Sequence, residues 1–210
     1  LNNFTDIFKN EIFNVIAQKE YCNLCLTGGR SAKALYSVWK NDIELQNSLL
    51  SCNIYFTDER CVPPDHDDSN FKLVKRTLFD EKLTLINVFR IRAEKVDVAA
   101  EAVRYETILP ENMDVMLLSM GEDGHIASLF PHSNILKENK RFVVPVIGPK
   151  PPNKRITVTP VVITRAKQVF TLAIGAEKQK MYEQALKDPQ DIETIPARLV
   201  LNRQWIFDLD

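Results

Sequence analysis

No apolar run in the chain reaches the roughly 18 residues that a membrane-spanning helix needs, so no such span is expected. An excess of charge of one sign is also missing: 27 Lys and Arg stand against 28 Asp and Glu, for a net charge of −1. That balance gives no basic field for non-specific DNA or RNA binding, and no nucleic-acid partner is expected. An anionic ligand has to be held by locally placed Lys and Arg. Cysteine is sparse, at four in 210 residues, and a chain this long can bury most of its apolar surface without staples. Cys22 and Cys25 have the spacer of a zinc or redox pair, but no second Cys pair or His pair completes it. They fall in an expected strand, where residues three apart point to opposite faces, so buried thiols are expected. Cys52 reads as another strand residue. Cys61 follows two acids that disfavour a thiolate. Repeats and low-complexity tracts are absent. The N-terminus, Leu1-Asn2-Asn3-Phe4, shows neither the basic nor the apolar region of a signal peptide. A cytoplasmic protein is therefore expected, and whether residues precede Leu1 stays open.

Hydrophobic content of 45% and charged content of 26% are ordinary for a globular protein, and residues 1–210 suit one domain. Apolar residues Phe4, Phe8, Ile12 and Val15 recur at helical spacing, which predicts an amphipathic first helix over 4–19. Strands are predicted at 22–27, 52–57, near 88–91, at 114–119 and at 169–174. Residues 142–147 and 155–159 read as extended. Helices are predicted after Ser31, through Val74 and Leu78, over 96–108 and after Gly175. The tail, from Pro196 to Asp208, reads as a short helix and a last strand. Strands alternate with helices from end to end, so the fold class is α/β, with a parallel or mostly parallel sheet covered by helices on both faces.

Chemistry-bearing residues collect where these strands end. The apolar run at 114–118 breaks into Ser119-Met120-Gly121-Glu122-Asp123-Gly124-His125, just past the carboxyl end of a strand, where open α/β sheets put their ligands. The first strand runs into Thr27-Gly28-Gly29-Arg30-Ser31 and then a helix, an arrangement that offers free backbone N–H groups to a phosphate. The second ends in Asp58-Glu59-Arg60, two acids and an arginine that are costly to bury unless paired or bound to a ligand. The acidic loop Asp65-His66-Asp67-Asp68 suggests metal binding. Without rigid ligand spacing, however, a solvated loop histidine is the reading, and Ser69-Asn70 is a plausible helix cap.

Three segments together resemble the 6-phosphogluconolactonase family of the glucosamine-6-phosphate deaminase/isomerase superfamily. They are Thr27-Gly28-Gly29-Arg30-Ser31, then Asp58-Glu59-Arg60-Cys61-Val62-Pro63 with Ser69-Asn70, then Gly121-Glu122-Asp123-Gly124-His125-Ile126-Ala127-Ser128-Leu129-Phe130-Pro131. Weaker agreement continues through Arg155-Ile156-Thr157, Gly175-Ala176-Glu177-Lys178 and Pro196-Ala197. The resemblance implies a Rossmann-like fold and the substrate 6-phospho-D-glucono-1,5-lactone of the oxidative pentose phosphate pathway. Three positions depart from the family pattern. Arg30-Ser31 replaces a small hydroxyl residue and Thr or Pro, Ser119 replaces Gly, and His132 replaces the Gly that commonly follows the proline.

Lactone hydrolysis needs an activated water, help for the oxyanion and a proton for the leaving ring oxygen. One imidazole can carry both transfers, since the ordinary pKa of the group, about 6.5, leaves it mostly neutral at pH 7 and a fair acid once charged. His125 is the expected base and Asp123 its orienting acid. Arg60 or the loop's backbone N–H groups are the expected oxyanion donors, with Arg60 also able to serve the phosphate. Lys178, at a helix start, and Arg155 are expected on the phosphate. Gly28, Gly29, Arg30, Asp58, Ser69, Asn70 and Gly121 complete the expected substrate-binding set. No metal or organic cofactor is called for, and a monomer acting on a small phosphorylated lactone is expected. The alternatives are a sugar-phosphate deaminase or isomerase, which by the resemblance carries Asn-Glu-Pro where this chain has Leu129-Phe130-Pro131, and a non-catalytic sugar-phosphate-binding protein.

Overall fold

The computed structural model describes residues 2–79 and 84–207; Asp208, the expected end of the last strand, lies outside them. Six parallel strands form the main sheet: β1 (Cys22–Leu26), β2 (Cys52–Phe56), β4 (Asn87–Val88), β5 (Val115–Ser119), β8 (Gln168–Leu172) and β9 (Gln204–Ile206), in the order β4-β2-β1-β5-β8-β9. β1 is buried along its whole length and β5 along all but its last residue, which is why both read as unbroken apolar runs rather than alternating ones. Helices α1 (Asn2–Lys19), α2 (Arg30–Trp39), α3 (Ile43–Leu49), α5 (Val98–Ile108), α6 (Pro160–Arg165) and α7 (Ala176–Lys187) join the strands. The apolar stripe of α1 is buried through Phe8 and Ile12, and Phe8 stacks on Trp39 of α2 at 4.3 Å between ring centroids. Among the described residues no helix is long and apolar enough to cross a membrane.

Cys22 and Cys25 are buried free thiols, and burial pushes the Cys25 thiol well above its ordinary pKa. At the start of β5 Asp114 is 1% exposed. Its carboxylate accepts hydrogen bonds from Asn23 N at 2.8 Å and Lys167 Nζ at 3.0 Å, and pairs with Lys19 at 2.5 Å. Burial raises its pKa, but these donors outweigh that and hold it low. An unpaired carboxylate here would be strongly destabilising.

The structure departs from the sequence reading in three places. Asp58-Glu59-Arg60, read as the end of the second strand, forms a strand of its own, β3 (Asp58–Arg60), pairing antiparallel with β7 (Lys154–Val158), which pairs with β6 (Val143–Ile147). This second, three-stranded sheet holds the acids below 5% exposure because protein groups meet them. Glu59 accepts from the backbone N–H of Asn70 and Phe71, each at 2.8 Å, and from Ser69 Oγ at 3.1 Å, capping α4 (Asn70–Val74). The predicted strand near 88–91 shrinks to β4. The helix predicted from residue 96 begins at Val98, because the Asp97 carboxylate caps it by accepting from Ala100 N at 2.9 Å.

Candidate active site

The strand order reverses between β1 and β5. Chain leaving β1 builds the sheet towards β4, and chain leaving β5 builds it towards β9. The loops after these two strands therefore diverge and leave a crevice at their carboxyl ends, the switch-point position where open α/β sheets bind ligands. A cavity of about 210 Å3 lies there, lined by Thr27, Gly28, Gly29 and Arg30 after β1, and by Ser119, Met120, Gly121, Glu122 and His125 at the end of β5 and beyond. Asp58, Arg60, Asn70, Ala127, Lys150, Arg155 and Lys178 complete the wall.

No helix follows β5. The segment turns back on itself, with Gly121 N donating to His125 O at 2.8 Å and Gly124 N to Gly121 O at 3.0 Å. Gly124 has φ +79°, open to glycine at little cost. Gly121 meets a different demand: a Cβ there would come within 2.2 Å of His125 Cε1 and Nδ1. The tight turn brings His125 Nδ1 onto the Asp123 carboxylate and leaves Nε2 as the nitrogen available to the cavity. Burial raises the Asp123 pKa, but the hydrogen bond and charge of His125 outweigh it and hold the carboxyl at about 2. Further along, Ser128 Oγ donates to Asp58 Oδ2 at 2.6 Å and Ser128 N to Thr157 Oγ1 at 3.1 Å, tying the segment to the small sheet. His132 takes φ +61°, a backbone that glycine adopts readily and histidine at a cost.

The Asp123 shift predicts a pH effect. The folded-state value lies below the unfolded one of about 3.9, so the pair's stabilisation is fully present above that pH and is lost as pH falls towards 2. The difference in unfolding free energy between wild type and Asp123→Asn, measured by urea denaturation, is expected to persist down to about pH 4 and to close below it. A difference unchanged at pH 3 would show that the pair does not set this pKa.

Cations dominate the rest of the wall. Lys178, in the first turn of α7, reaches Ser31 Oγ at 3.0 Å and Ser119 Oγ at 3.5 Å, with no carboxylate at ion-pair distance among the described residues. Burial lowers its pKa, and nearby Arg30 lowers it further. A half-buried ammonium held only by hydroxyls favours an arriving anion. Arg60 donates through Nη1 to Asp68 O at 2.7 Å, while its buried Nε has no partner among the described residues. Arg155 is buried and donates to Pro152 O at 3.0 Å and Lys150 O at 3.2 Å, so much of its fork holds the 148–153 loop. Arg30 is exposed and pairs with Glu122 at 2.9 Å across the cavity rim.

Other expected ligands are occupied by the protein itself. Asp58 accepts from Ser128, Thr57 and Asn70. Ser69 is taken up by Glu59 and by Lys72 N, and does not line the cavity. Asn70 lines it with its amide bonded to Asp58. A Cβ on Gly28 would come within 1.8 Å of Asn70 Oδ1, so glycine is required there. Ser119 and Glu122, in the loop that the sequence marks but outside the expected ligand set, also line the cavity, as does Lys150, which no sequence signal marks. His66 is half-exposed and accepts from Asp68 N at 3.1 Å; among the described residues no group of three His, Cys, Asp or Glu side chains converges to hold a metal.

Comparison with known proteins places this geometry. The profile of the family described as glucosamine-6-phosphate isomerases/6-phosphogluconolactonase matches residues 2–207. The 6-phosphogluconolactonase of Mycobacterium tuberculosis is 33% identical over 213 residues, covering 93% of this chain and 85% of that one. That of Borreliella burgdorferi is 31% identical over 200 residues, covering 90% and 84%. Among solved structures, 6-phosphogluconolactonase from Trypanosoma cruzi superposes with a TM-score of 0.80 at 26% identity, over 97% of this chain and 89% of that one. A monomeric glucosamine-6-phosphate deaminase shares the fold, with a TM-score of 0.78 at 19% identity over 96% and 92%. With the match running from the first helix to the last strand, the chain belongs to the glucosamine-6-phosphate isomerase/6-phosphogluconolactonase family.

Proposed function

We propose that the chain hydrolyses 6-phospho-D-glucono-1,5-lactone to 6-phospho-D-gluconate, the lactone-opening step of the oxidative pentose phosphate pathway, with His125 as the proton-transfer residue. One observation carries the reading: His125, paired with Asp123, lines one cavity with Lys178, an ammonium with no carboxylate at ion-pair distance among the described residues. The phosphate sits against Lys178 and the free backbone N–H groups opening α2, which Ser31 brings together. The lactone carbonyl then lies towards His125.

Water adds to the carbonyl carbon as Nε2 takes its proton, and Asp123 stabilises the imidazolium through Nδ1. The N–H groups of Gly121, Gly124 and His125 are already engaged within the loop. Arg60, which lines the cavity, is therefore the better donor to the oxyanion. When the tetrahedral centre collapses, the bond from the carbonyl carbon to the ring oxygen breaks, and Nε2 returns the proton to that oxygen. The carboxylic acid product ionises, and the imidazole is neutral again. Residues of both sheets line the one cavity, which supports reading the chain as a single domain. With a pathway intermediate as substrate, we place the enzyme in the cytoplasm.

The deaminase alternative loses a carboxylate, because Phe130 stands where, by the resemblance, that chemistry carries a glutamate. A silent sugar-phosphate binder has no use for the His125–Asp123 pair. Purified protein in excess chelator is expected to accelerate loss of 6-phosphogluconolactone above its spontaneous rate and to release no ammonia from glucosamine 6-phosphate. Ammonia release at a comparable rate would overturn the assignment. Activity lost on chelation and restored by added metal would redirect attention to His66, Asp67 and Asp68.

A further inference from the structure

The residue that stands in place of the deaminase carboxylate does more than leave that group out. Phe130 is 5% exposed, and its ring touches both chemically distinct parts of the wall. The His125 imidazole lies 4.9 Å from it between centroids, tilted by 42°, and the Arg155 guanidinium carbon lies 5.4 Å from its centroid. The ring is held from behind by backbone: a Cβ on Gly148 would come within 2.7 Å of Phe130 Cε2 and 2.8 Å of Cζ. An imidazole held through Nδ1 can still rock about that bond, and a ring packed against it at this tilt limits that freedom. Arg155 is anchored to carbonyls of the loop containing Pro152, so the same ring sees a fixed cation on one side and the base on the other.

We propose that Phe130 is a positioning residue for His125, holding the imidazole with Nδ1 on Asp123 and Nε2 towards the substrate while spacing it from the Arg155 guanidinium. The inference rests on the lactonase reading above. Since a misplaced catalytic group costs up to about 100-fold in rate, Phe130→Leu is expected to lower kcat by about 10- to 100-fold with KM within about twofold. The His125 ring-proton resonances are expected to move, assigned among the three histidines by their absence in His125→Ala. Gly148→Ala, whose Cβ presses on the ring at 2.7 Å and reaches Arg155 Nε only at 3.4 Å, is expected to lower kcat in the same direction and decides the matter if Phe130→Leu does not fold, any push on Arg155 appearing in KM instead. Both variants folded, with wild-type kcat, would overturn the inference and leave the lactonase reading standing. So would a raised KM at unchanged kcat, which would make Phe130 a binding-wall residue. Wild-type protein that fails to accelerate lactone loss would overturn both.

Discussion

His125→Ala is expected to lower the turnover number by about 10²–10⁴-fold, the usual worth of a positioned general base, while KM changes little. The imidazole acts on water and on the ring oxygen, so its contribution appears in the transition state and not in binding the phosphorylated lactone. The fold should tolerate the change, because His125 sits on a turn facing the cavity and its main structural bonds are made by the backbone, from Gly121 N to His125 O. Asp123→Asn, which keeps the shape and loses the charge, is expected to do less damage. The measurement is initial-rate lactone loss with the spontaneous reaction subtracted, since the uncatalysed rate sets the floor for a crippled enzyme. Near-wild-type turnover in His125→Ala would remove this residue from the mechanism and pass the base role to another group.

Lys178→Ala is expected to raise KM for the phosphorylated lactone by about 10-fold or more, as loss of a charge-assisted hydrogen bond commonly costs about 1.5–3 kcal/mol. Among the described residues the ammonium has hydroxyl partners only, at 3.0 Å and 3.5 Å, so its removal strands no described carboxylate and the variant should fold. A phosphate contact far from the carbonyl binds ground and transition states alike, although remote binding energy can also support turnover. The loss on the unphosphorylated lactone is therefore expected to be much smaller. Equal losses on the two substrates would show that Lys178 shapes the cavity wall instead of binding the phosphate.

These two residues are legible in the chain itself, because each lies in a short contiguous signal. Glycine, two acids and a histidine directly after an apolar strand announce a site, and glycine before a lysine at a helix start announces an anion. The parallel sheet is legible for a related reason: strands buried on both faces read as continuous apolar runs, alternating with helical periodicity. The departures at Ser119 and His132 are visible in sequence but carry no meaning there. The fold gives Ser119 a contact with Lys178 and His132 a left-handed backbone.

What the sequence does not separate is the two acids of Asp58-Glu59-Arg60. Both are equally polar and adjacent, yet one faces the cavity wall and the other caps α4. The choice is made by pairing with β7, nearly a hundred residues away. The same holds for Lys150, carried to the cavity by a loop whose carbonyls Arg155 grips, and for Ser69, whose hydroxyl turns to Glu59. The sequence by itself determined the fold class and the switch-point loops and supplied the candidates for base, orienting acid and phosphate cation, because these depend on local periodicity and on residues close in the chain. Only the tertiary structure decided which polar residues face the cavity and which satisfy one another, because a buried charge takes whichever partner the packing brings within hydrogen-bond reach.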